Sequence, residues 1–189
     1  YAQEQVRIAE RLQTPTLLAG AYDSLGVAHL LAERYHDALE LAERALRIAR
    51  DSGTLLQSEA VFVANLAAAC VGVGDLDRGI AAAREAVTIA HERHTPLFEC
   101  RALLFCVRAL LAGGVEHLDE AAATLDAAFA IVARTDARGY EPFLRVEASR
   151  LARLRGDATS GESELAEASR QFRRMGAEGH AVRLETAPP

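Results

Sequence analysis

His91 and His94 form an H-x-x-H pair at the end of a helical stretch, a spacing that can turn two imidazoles toward one zinc ion. Cys100 lies nearby in sequence, yet no third ligand completes a set, and the pair reads equally as the polar last turn of a helix before 95-TP-96. Arg155-Gly156-Asp157 is the tripeptide that integrins read in extracellular loops. It aligns here with Val73-Gly74-Asp75, where Gly and Asp serve turn geometry and helix capping. The glycines of 72-GVG-74 and 113-GG-114 lack both the G-x-x-x-x-G-K-[ST] loop and a strand-to-helix G-x-G-x-x-G. Ser, His and Asp all occur, but in no nucleophile-elbow context. The sequence therefore predicts no catalytic residue, no metal and no cofactor.

Composition narrows the field further. The 21 basic residues are dispersed among 27 acidic ones, for a net charge of −6, which excludes a basic nucleic-acid surface. Charges fall at helical spacings such as Glu40/Arg44 and Glu43/Arg47, as on solvated helix faces. Three cysteines, Cys70, Cys100 and Cys106, sit in apolar surroundings without C-x-x-C spacing. They read as reduced core residues of a cytoplasmic protein. The longest apolar runs, such as 102-ALLFCV-107, are far below the roughly 18 residues of a membrane span, and no signal-peptide pattern opens the chain. The chain begins at Tyr1 inside a helical pattern and closes on 186-TAPP-189, which reads as the frayed C-terminal end of a longer protein.

The elements that would position any site repeat along the chain. Segments 35-YHDALELAERAL-46, 76-LDRGIAAAREAV-87, 118-LDEAAATLDAAF-129 and 158-ATSGESELAEAS-169 start 41, 42 and 40 residues apart. In this register Ala38, Gly79, Ala121 and Gly161 share one column, and Ala45, Ala86, Ala128 and Ala168 another. Glycine inside a helix costs about 0.5–1 kcal/mol relative to Ala, so Gly79 is expected where two helices approach too closely for a side chain. Apolar-periodic segments at 15–33, 55–73, 96–112 and 142–154 precede these four, joined to them by 74-GD-75, 113-GG-114 and 156-GD-157. No stretch alternates with period two. The expected fold is all-α, built of antiparallel helix pairs. Residues 1–13 form part of a preceding helix; the repeats run 14–53, 54–94, 95–136 and 137–189, the last with a C-terminal capping helix and tail.

The first pair resembles the tetratricopeptide repeat. Tyr22 stands at the bulky first signature position, Leu25 and Gly26 at the Leu-Gly pair, His29 where Tyr is usual, and Ala38 and Ala45 at the small positions of the second helix. The second pair carries Val63, Leu66, Ala67, Cys70, Gly79 and Ala86 at these places. The third has two registers, Val107/Arg108 or Arg108/Ala109, and the fourth departs most, with Ser149, Ser163 and Glu164. The family repeat is 34 residues, and the longer period resembles extended arrays in the C-terminal regions of large bacterial signalling ATPases. These include LuxR-type transcription regulators and ATPase-linked nucleotide cyclases, whose last repeat is similar to 139–157 followed by 172–185.

The resemblance implies a right-handed superhelix, a TPR-like α-solenoid, whose first helices line a concave face. In that register the inward positions are Asp23 and Ser24, Asn65, Phe105, Cys106 and Arg108, then Glu147 and Arg150. Asn65 lies inside 61-VFVANLAAAC-70, where a polar side chain needs a neighbouring backbone partner or an open groove. The implied work is non-catalytic: recognition or sensing in a bacterial regulator, with any ATPase or cyclase chemistry upstream of Tyr1. The expected occupant is a protein or peptide partner, a small ligand, or a second copy of the chain, with no direct nucleic acid and no membrane. The alternative is a structural spacer or homodimerisation module, for which Val6, Ile8 and Leu12 would supply an apolar edge.

Overall fold

In the computed structural model, which describes residues 1–186, the chain folds into ten α-helices, with no strand among the described residues. They are α1 (Ala2–Leu12), α2 (Pro15–Leu31), α3 (Tyr35–Ser52), α4 (Glu59–Gly72), α5 (Leu76–Glu92), α6 (Pro96–Gly113), α7 (Leu118–Thr135), α8 (Glu141–Leu154), α9 (Ala158–Arg174) and α10 (Glu178–Thr186). The closing residues 187–189, part of the expected tail, lie outside the described residues.

Turn chemistry sets the helix ends. At the end of α4, Gly74 takes φ +85°; its N–H bonds the Val71 carbonyl while the Asp75 N–H reaches back to Cys70. This left-handed close satisfies carbonyls that the helix end would leave open. Asp75 then accepts from the Arg78 N–H and starts α5, and Asp157 does the same for α9 through Ser160. Between α2 and α3 the same left-handed position falls on Glu33. Pro15, Pro96 and Pro142 occupy first turns, where a missing N–H is harmless.

One boundary differs from the sequence expectation. The apolar segment from Leu55 is not helical throughout: Leu55 is itself left-handed, Leu56–Ser58 form a 3-10 turn, and α4 begins at Glu59. The Leu55 side chain faces Gly20 of α2 and lines the hollow there.

Consecutive helices pack against one another along the chain, and α2, α4, α6 and α8 also touch in turn. The small columns lie within these contacts. Ala38, Gly79, Ala121 and Gly161 are all buried, as are Ala45, Ala86, Ala128 and Ala168. A Cβ added at Gly79 would stand 2.7 Å from Val71 Cγ2 and 3.2 Å from the Val71 nitrogen. One at Gly161 would meet the Ser149 carbonyl at 3.2 Å. Gly26, Ala67 and Ser149 each lie nine residues before the second helix of their pair, and Ala109, also buried, holds that place before α7.

The second helices are joined at the surface by ion pairs one repeat apart, Glu43–Arg78, Arg50–Glu85 and Arg84–Glu120. Such exposed pairs contribute at most about 1 kcal/mol each; the buried alanine-rich seam carries the packing. No helix of the described residues is long and apolar enough to cross a membrane.

Candidate functional site

Helical spacing places Arg101, Phe105 and Arg108 at i, i+4 and i+7 on one stripe of α6. Both guanidinium carbons lie 5.5 Å from the Phe105 ring centre, within the range of cation–π attraction. Each arginine is then anchored by a different neighbour. Arg101 donates from Nη2 to Asn65 Oδ1 at 2.9 Å, and Asn65 donates from Nδ2 to Asp23 Oδ1 at 2.8 Å. Asn65 is only 2% exposed, and its amide is satisfied by side chains on α2 and α6 rather than by backbone. On the other side, Arg108 Nε donates to Glu147 Oε1 at 2.7 Å and Arg150 Nη1 to Glu147 Oε2 at 2.9 Å. Glu147 is likewise 2% exposed.

Two polar chains thus flank Phe105, Asp23–Asn65–Arg101 and Arg108–Glu147–Arg150. Burial pushes the Asp23 carboxyl up, opposed by the Asn65 hydrogen bond and the Arg101 charge. Three guanidiniums face two carboxylates, so the cluster carries one surplus positive charge. Arg101 Nε is buried without a hydrogen-bond partner, an arrangement with a free-energy cost unless an acceptor arrives.

A cavity of about 380 Å³ opens beside this cluster between α2, α4 and α6. Val27 and Leu30 wall it from α2, Ala68 and Val71 from α4, and Phe105 and Ala109 from α6. Tyr35, at the start of α3, closes one end with its ring laid on Gly72, where any Cβ would collide with it. The walls are apolar, and the polar groups at the rim are Asn65, Arg101 and Arg108.

Of the inward positions expected from sequence, Asp23, Asn65, Phe105, Arg108, Glu147 and Arg150 belong to this cluster. Ser24 stands apart, its hydroxyl donating to the Gly20 carbonyl. Cys106 is instead buried in the core, turned away from the cavity because it stands one residue beyond Phe105 on α6. Arg101 went unforeseen; its signal was the i, i+4, i+7 stripe shared with Phe105 and Arg108.

The other motifs fold into structural roles. His91 Nδ1 pairs with Glu99 at 2.8 Å, while His94 takes the left-handed position that ends α5. Among the described residues no three His, Cys, Asp or Glu side chains converge on one point. Arg155 reaches the Leu118 carbonyl and Asp119, Gly156 takes φ +82°, and Asp157 caps α9. At the other end of the chain Val6 is half-buried, and Ile8 and Leu12 are 46% and 58% exposed. A second apolar hollow there runs between α1 and α2 beneath Leu55.

Comparison with protein-family models and with curated proteins finds no match to this chain.

Proposed function

We propose that this chain is a non-catalytic recognition module, a tetratricopeptide-like right-handed superhelix that takes its ligand or partner on the inner side lined by α2, α4, α6 and α8. The observation that supports this most is the cavity beside Phe105. An apolar hollow with a few polar groups, Asn65, Arg101 and Arg108, each fixed by a side-chain partner, has the make-up of ligand sites, and holding Asn65 and Glu147 out of water carries a desolvation cost that packing alone does not require. The resemblance adds a setting: a sensor region of a cytoplasmic bacterial regulator, in which occupancy changes the curvature or self-association of the array and so biases an output domain. Coupling of that kind requires only that the ligand bind one curvature more tightly than another.

The test is a screen of peptides and small molecules by thermal shift, repeated on Ala68→Trp, which fills the cavity. Compounds that stabilise the native chain should lose their effect on the variant while its helical circular dichroism is unchanged. Compounds that stabilise both chains equally would rule out the inner side as the recognition surface.

A second reading rests on Ile8 and Leu12, exposed beside the hollow between α1 and α2: the module self-associates through this edge. Light scattering across a wide concentration range decides it, since a dimer built there should dissociate in the Ile8→Glu/Leu12→Glu variant.

A further inference from the structure

We infer that the cavity beside Phe105 takes a small apolar carboxylic acid as its anion. This deepens the recognition reading and rests on it. Three observations converge. Arg101 Nε is a buried donor without an acceptor, and Arg108 spends only Nε, on Glu147, among the described hydrogen bonds. Both guanidiniums lie 5.5 Å from the Phe105 ring centre, and both side chains line the same cavity as that ring. The two carboxylates in the cluster are already committed, Asp23 to Asn65 and Glu147 to Arg108 and Arg150, and neither lines the cavity, whereas Arg101 and Arg108 do.

The chemistry of the walls selects the class. A planar carboxylate matches a guanidinium fork, and a mostly apolar lining with two arginines suits a monoanion on a hydrocarbon body better than a more strongly hydrated phosphate. Leu30, Val71 and Phe105 offer hydrocarbon, not donors, to the remainder of the molecule. At about 380 Å³ the space lies near the lower end of the range for small-molecule sites. It fits a free acid with an aromatic or medium-chain body rather than an extended stretch of polypeptide.

Calorimetric titration of the 189-residue chain with phenylacetate and octanoate, each beside its uncharged amide, tests this. The acids should bind roughly tenfold or more tightly than the amides, the margin of one charge-assisted hydrogen bond. Arg101→Met, which leaves Arg108 in place, should narrow the ratio of acid to amide affinity, and Ala68→Trp, which fills the space that Asn65, Arg101 and Arg108 line, should abolish binding of acid and amide alike. Equal affinity for acid and amide would overturn the carboxylate assignment and leave recognition in the cavity standing. Tighter binding of an acetylated tetrapeptide ending in phenylalanine would overturn the small-acid assignment in the same way. No binding of either acid to the folded chain would also overturn it, while the recognition reading would still be decided separately by the Ala68→Trp screen.

Discussion

Arg108 Nε donates to Glu147 Oε1 across the contact of α6 with α8, so a groove-facing arginine is held by a carboxylate that water barely reaches. Glu147 also accepts from Arg150 and is therefore the shared acceptor of two cations. Glu147→Ala should destabilise the chain by roughly 1–3 kcal/mol in urea unfolding. The value stays below that of a fully buried pair because both arginines are partly exposed. Glu147→Gln, which keeps an acceptor oxygen, should cost less. A Glu147→Ala midpoint equal to the native one would show that the contact contributes nothing to the fold.

Gly79 sits where α5 crosses α4, and alanine there sets two effects against each other. Helix propensity favours Ala by about 0.8–1 kcal/mol, but the new methyl would lie 2.7 Å from Val71 Cγ2 and near the Val71 nitrogen and the Ala67 carbonyl. Backbone atoms cannot yield as a side chain can, so overpacking of about 1–3 kcal/mol should win and Gly79→Ala should be net destabilising. Adding Val71→Ala relieves the shortest contact and should reduce the cost of Gly79→Ala in a double-mutant cycle. Independent, additive effects would sink the close-approach account.

This same glycine explains why so much of the helix arrangement was legible in the sequence. A backbone approach repeated in each pair leaves a column of small residues, and Gly79 and Gly161 stand out against alanine. Side-chain partnerships leave no such trace. Asn65 announced a need for hydrogen bonds, but its partners lie on two other helices, Asp23 42 residues away and Arg101 36, at separations that no local pattern encodes. The left-handed turn at Leu55 was equally hidden, because the apolar pattern runs through it without a break.

The Asp23 carboxyl, held above its ordinary value chiefly by burial, gives a pH dependence of definite sign. The native chain binds this proton more tightly than the unfolded chain does. Between the unfolded value near 4 and the higher native value, this group's contribution to stability falls as pH rises. Asp23→Asn keeps an acceptor for Asn65 but cannot ionise. The stability of the native chain minus that of Asp23→Asn should therefore decline from about pH 4 upward and then level off. Parallel curves for the two proteins in urea unfolding at several pH values would contradict it.

Cys70, Cys100 and Cys106 are buried free thiols, and burial pushes all three up, Cys100 and Cys106 to about 11. At pH 8 a thiol of that value is thiolate in about one molecule in a thousand, against about one in four for an unperturbed cysteine near 8.5. Since only the thiolate attacks, native Cys100 and Cys106 should react with a disulfide reagent at least ~100-fold more slowly than in urea-unfolded chain. The same shift has a thermodynamic face: above about pH 8.5 the unfolded chain releases protons that the native chain retains, so stability should fall as pH rises there. Cys100→Ala/Cys106→Ala should flatten that alkaline decline even though it loses some packing at every pH. Prompt labelling of Cys100 or Cys106 in the folded protein, read by mass spectrometry of its peptides, would mean that the α6 seam opens far more often than its burial implies.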